Sequence, residues 1–85
     1  MIVALVPKLA IVASSGASDP TRASIPFHIA ANGAAASGVE SYIILAGDAT
    51  ELLREGVAAS VVGVGIAPLA ALLEKCAEAK IPIHV

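Results

Sequence analysis

Three short apolar runs, separated by segments that carry helix-start and helix-stop residues, restrict this chain to a small set of folds. Leu9 to Ala13 is the first, with Pro7 before it and Ser14-Ser15-Gly16 after it. Ser41 to Ala46 is the second, with Tyr42, Ile43, Ile44 and Leu45 as its body, and Ile81 to Val85 is the third. Runs of this length, bounded by turn residues, suit buried strands. Ile2 to Val6 either extends the first strand or forms an appendage, because Pro7 opposes one continuous central strand. Residues 1–7 are thus a candidate N-terminal extension of a single domain spanning 1–85.

Helices fill the gaps. Asp19-Pro20 opens the first, with Asp19 as N-cap and Pro20 in the first turn, where its missing N–H costs nothing. Ile25, Ile29 and Ala36 share one face at helical spacing, and Gly38 stands where a C-terminal glycine belongs. Pro26 lies inside this helix and is expected to kink it, since the Arg22 carbonyl loses its donor. Asp48 and Glu51 have the spacing of a capping box for a short helix ending near Gly56. Ser60 to Ile66 stays open between strand, for its valines, and loop, for Gly63 and Gly65. Pro68 starts a third helix with Leu69, Leu72, Leu73 and Cys76 as its apolar stripe. Strand, helix, strand, helix, strand is the pattern of a parallel sheet covered by helices. The near-continuous apolar strands fit a sheet buried on both faces.

Composition adds a constraint on surroundings. The 85 residues are 58% hydrophobic and 14% charged, against a usual charged fraction of ~25%. A monomer of this size hides only about 60% of its unfolded surface. So much apolar residue on so small a body points to cover from other subunits, and a homo-oligomer is expected. A net charge of −2 offers no basic field for nucleic acid or anionic membrane, and one Tyr, one Phe and no Trp leave little for stacking bases. Lys8, Asp19 and Arg22 break up the start of the chain before it reaches the ~18 apolar residues of a membrane span. Met1 to Ser18 lacks the basic first region of a signal peptide and carries Lys8 inside its apolar core, so a cytoplasmic protein is expected.

Ligands of open parallel sheets bind beyond the carboxyl ends of the strands. Ser14, Ser15 and Gly16 converge there with Gly47-Asp48. The first loop could present backbone N–H groups and hydroxyls to an anion ahead of a helix N-terminus, or could be an ordinary strand-to-helix turn. Asp48 reads first as a helix cap and second as a carboxylate with a chemical role. His84, near the end of the last strand, is a further candidate, although alternation also allows it to face a helix or solvent. His28, mid-helix and four residues before Asn32, reads as a solvated or interface residue. Gly63-Val64-Gly65-Ile66-Ala67-Pro68 fails the dinucleotide fingerprint, because Pro68 stands in the third glycine's place. Cys76, the single thiol, lies late in its helix where the dipole disfavours thiolate, and reads as core. One cysteine permits no internal disulfide, and no histidine or acidic cluster supports a metal site or catalytic triad. No cofactor is expected.

The ordered segments resemble a known family. Lys8 to Gly16 followed by Asp19-Pro20-Thr21-Arg22-Ala23 is similar to the opening strand, loop and helix of the DsrE/DsrF-like proteins. Leu45-Ala46-Gly47-Asp48-Ala49 is similar to their second strand and turn. Pro68 to Lys75, running to Ile81-Pro82-Ile83-His84-Val85, resembles their helix and following strand. The resemblance implies a three-layer α/β/α domain with a mainly parallel sheet that assembles into homo-oligomers or related hetero-oligomers. Some relatives relay sulfur as a cysteine persulfide, and a sulfur-carrier protein would then be a partner. In those relatives the relay cysteine follows the strand matching Ile81 to Val85. The sequence ends at Val85, so a C-terminally shortened member is expected, and Cys76 is not the matching residue. Two functions follow as expectations. One is a protein of unassigned activity linked to intracellular sulfur transfer, with thiols supplied by a partner. The other is a non-catalytic oligomeric or small-ligand module using the strand-end pocket near Ser14, Ser15 and Asp48.

Overall fold

A computed structural model describes residues 8–85; the candidate extension at residues 1–7 lies outside the described residues. Strand β1 is Lys8–Ala13, β2 is Glu40–Leu45 and β3 is Ile83–His84. They form a parallel sheet in the order β1-β2-β3. The chain is therefore of the mixed α/β class that the alternating pattern predicts. Lys8 pairs with Glu40 and the register runs without slip to Ala13 opposite Leu45. β3 is shorter than the apolar run Ile81 to Val85. Pro82 has no N–H for the ladder, though its carbonyl accepts from Ile43 N at 2.9 Å.

The first crossover is α1, Pro20–His28, which continues as a π-helical turn over Ile29–Ala34. Asp19 caps it as expected: its Oδ1 accepts from Arg22 N at 3.2 Å. Pro26 does sit inside the helix. Downstream of it the bonding widens, with Ala35 N donating to Ala30 O at 3.0 Å, five residues back. Gly38, at φ 73°, closes the segment. Val39 N reaches Ala34 O at 2.8 Å and Gly38 N reaches Ala35 O at 3.2 Å, the paired bonds of a Schellman motif.

The buried face of this crossover is not the one expected. Ile25 and Ile29 are 42% and 43% exposed, and Ala36 is exposed too. Ala23, Ser24, Phe27, Ala30 and Ala34 are buried instead. The one phenylalanine wins the inward position, and alanines one turn either side let the helix lie close to a narrow sheet. Ser24 is tolerated in this stripe because its Oγ donates to Pro20 O at 2.8 Å.

The second crossover begins with a 3-10 segment, Gly47–Leu53, and a single turn, α2, at Val57–Ser60. The capping box is absent. The 3-10 segment starts at Gly47 with Ala46 in the cap position, so Asp48 lies inside its first turn, and Glu51 bonds to Ala17 N instead. Residues 61–67 form a loop, so the glycines outweigh the valines there. Helix α3, Leu69–Glu78, buries Leu69, Leu72 and Cys76, with Leu73 part-buried, as its spacing predicts.

Helices cover one face of this sheet. Ala13, Ile43 and Leu45 point into a core shared with Phe27, Leu52, Val61, Leu69 and Leu72. The alternate residues point the other way: Ala10 and His84 are exposed, Val12 is 62% exposed, and Tyr42 and Ile44 are half-buried. The described residues thus make two layers, where three were expected. Strand order explains it. Two right-handed crossovers stepping in the same direction both land on the same face, and α1 and α3 pack against each other there. Among the described residues no helix is long and apolar enough to cross a membrane.

The two faces of α1 make opposite predictions. Phe27→Ala should cost about 3–5 kcal/mol, comparable with the whole stability of a domain this small, and abolish a cooperative urea transition followed by circular dichroism. Ile25→Ala should shift that transition by less than about 1 kcal/mol.

Candidate functional site

The carboxyl ends of β1 and β2 are tied together by Ala46 N donating to Ala13 O at 2.9 Å. Beyond that bond the loop Ser14 to Ala17 meets the turn that begins at Gly47. Gly16 is buried against this turn: a methyl group on it would fall 2.7 Å from the Asp48 backbone oxygen and against the Glu51 carboxylate. A glycine is needed here for close approach, not for an unusual φ. Ser14 is exposed, Ser15 half-buried, and the Asp48 side chain exposed. The structure brings Ser14, Gly16 and the Asp48 backbone to one place.

His84 belongs to a different group. It stands beside Ile44 in the register, on the open face of the sheet, with its ring edge-on to Tyr42 at a centroid separation of 6.1 Å and an interplanar angle of 81°. His28 bonds to Asn32 at 3.1 Å, and Asn32 Oδ1 accepts from Lys75 Nζ at 2.9 Å, so this exposed set links the first crossover to α3.

Glu51 decides what the strand-end loop can do. Its Oε1 accepts from Ala17 N at 2.8 Å, across 34 residues of chain. Asp19 N is likewise taken by Gly16 O at 3.1 Å. An internal carboxylate therefore already takes the Ala17 N–H, one of the groups an external anion would meet. By spacing Glu51 is only a capping partner three residues after Asp48; its long-range role leaves no local signature. The Gly63 region is equally structural: Val64 N donates to Thr21 Oγ1 at 3.0 Å, which holds this loop to the start of α1.

Cys76 is fully buried, with Sγ 3.9 Å from the Phe27 carbonyl. Burial pushes its thiol up from the ordinary cysteine range, because a thiolate would be desolvated. Among the described residues no three of His, Cys, Asp and Glu converge on a point where a metal ion could be held. A cleft of about 450 Å³ lies at the other end of the sheet, beside Lys8, Ser41 and Lys80, and no local sequence motif marks it. Comparisons with family models, with curated proteins and with solved structures give no match.

Two measurements test these assignments. Glu51→Ala leaves Ala17 N without its acceptor and should lower stability by about 1–3 kcal/mol in urea unfolding, with Glu51→Gln losing less. For Cys76 the folded chain holds its proton more tightly than the unfolded one. Its contribution is therefore complete below the ordinary thiol pKa of about 8.5 and declines as pH rises past it. Stability measured from pH 7.5 to about 9.5 should fall in the parent and lose that component in Cys76→Ala.

Proposed function

We propose that this chain is a DsrE/DsrF-like subunit that serves assembly rather than autonomous catalysis, in a cytoplasmic homo-oligomer. The observation that carries the reading is the open sheet face formed by Ala10, Val12, Tyr42, Ile44 and His84. Parallel sheets are ordinarily covered on both faces. This face carries no carboxylate or ammonium group in its centre, so its complement must itself be apolar. A second copy of the same face meets that requirement, and two sheets stack about 10 Å apart with side chains interleaved. The resemblance of residues 8–85 to the DsrE/DsrF-like proteins, which implies a three-layer oligomerising domain, supports the same reading. A neighbouring subunit then supplies the cover that the helices among the described residues do not.

Within such an assembly a link to intracellular sulfur transfer rests on the resemblance, with the reactive thiol on a sulfur-carrier partner. The burial of Cys76 favours the non-catalytic role: a persulfide relay needs an exposed sulfur with a lowered pKa, and Cys76 has neither. Small-ligand binding at Ser14, Ser15, Gly16 and Asp48 is the less favoured use of the fold, since Glu51 already occupies the loop N–H.

Sedimentation of the parent should give an oligomer, and Val12→Glu should give a folded monomer, because burying a carboxylate in an apolar interface is costly. A monomeric parent would remove the reading. Treatment of the native protein with a persulfide donor should leave its mass unchanged; one added sulfur on Cys76 would return it to the catalytic class.

A further inference from the structure

Two departures from local rules fall on one cleft at the amino-terminal edge of the sheet. The first is Ser41. It lies on the core-facing side of β2, two residues before Ile43, and is 7% exposed. Its Oγ is buried without a hydrogen-bond partner. Buried hydroxyls are normally paired, and an alanine at this position would leave nothing unsatisfied. The second is Lys80, which has φ 56°. It closes α3 as Gly38 closes the first crossover: Ile81 N donates to Cys76 O at 2.9 Å and Lys80 N to Ala77 O at 3.1 Å. The same motif thus occurs twice on this edge, once with glycine and once with a side chain that the left-handed region penalises. Complementing the helix dipole does not require a lysine there, since Lys75 already lies in the last turn of α3.

Ser41 and Lys80 both line the 450 Å³ cleft, with Lys8, Glu40, Val39 and Ile81 among the other walls. The cleft lies within the size range of small-molecule sites. Positions that break local rules without local compensation concentrate at functional sites. Two ammonium groups against one carboxylate leave the mouth cationic, and Val39 and Ile81 offer an apolar wall.

The geometry points to a binding site for a small organic carboxylate with a short aliphatic body. Lys8 and Lys80 hold the carboxylate, Val39 and Ile81 pack the aliphatic part, and the Ser41 hydroxyl donates to the ligand as the walls part around it. This site is at the opposite end of the sheet from Ser14 and Asp48, and it shares only Tyr42 with the open face assigned to assembly.

Amide NMR titration of the full chain with hexanoate, using hexanamide as the neutral isostere, tests it. Hexanoate should give saturable shifts at Val39, Ser41, Lys80 and Ile81, with hexanamide about tenfold weaker, as for loss of one charge-assisted hydrogen bond. Ser41→Ala and Lys80→Gly each relieve a local cost, so each should raise the melting temperature of the free protein while weakening hexanoate binding. Absence of saturable shifts, equal shifts with hexanamide, or unchanged hexanoate affinity in both variants would overturn the site. A lower melting temperature in both variants would do so too, by making the two residues structural.

Discussion

The order of the strands governs nearly everything else in this chain. Each crossover steps from one strand to its immediate neighbour in the same direction, so α1 and α3 have no choice of side. They share one face and must pack against each other as well as against the sheet. A three-strand sheet is narrow, and two helices fit over it only where small residues allow close approach. Ala23 and Ala30 meet that need on the first crossover and Ala49 in the 3-10 segment, while Phe27, Leu52, Leu69 and Leu72 fill the volume between. The high apolar content is then divided between a closed core and an uncovered second face.

The two ends of the sheet are in opposite states of satisfaction. At the carboxyl ends, where ligands of parallel sheets usually sit, Gly16 is packed against the Asp48–Glu51 turn and the loop N–H already has an anion. That end has the architecture of a site and the bonding of a joint. The amino-terminal edge has no such closure. It holds a covered hydroxyl without a partner and a lysine in a conformation suited to glycine. Polar satisfaction, more than topology, distinguishes the two.

Much of this was legible in the residues. The bounded apolar runs located β1 and β2 to within one residue, and Asp19-Pro20, Gly38 and the Leu69-Leu72-Cys76 stripe located the helices, because each of these signals acts within one or two turns of chain. What was not legible depends on distant partners. Asp48 and Glu51 fit a capping box at three-residue spacing, yet Ala17 competes for the same carboxylate from 34 residues away. Ile25 and Ile29 are apolar at helical spacing, but the sheet selects the face carrying Phe27. Continuous apolar strands implied cover on both faces, and they cannot say whether it comes from the same chain. The cleft beside Ser41 and Lys80 joins residues from three separate segments, so no local pattern marks it.

The sheet is also uneven along its width. β1 and β2 share six registered pairs, from Lys8 opposite Glu40 to Ala13 opposite Leu45, whereas β3 adds only Ile83 and His84. The β1–α1–β2 unit is the larger cooperative piece, and its contacts span the shorter loop, so it is the natural folding nucleus. β3 is held to the β2 edge by fewer ladder bonds than join β1 to β2. Opening from that side frees Ile43 N from the Pro82 carbonyl while the rest of β2 stays paired with β1. The two edges of the sheet are thus held unequally, six registered pairs against two.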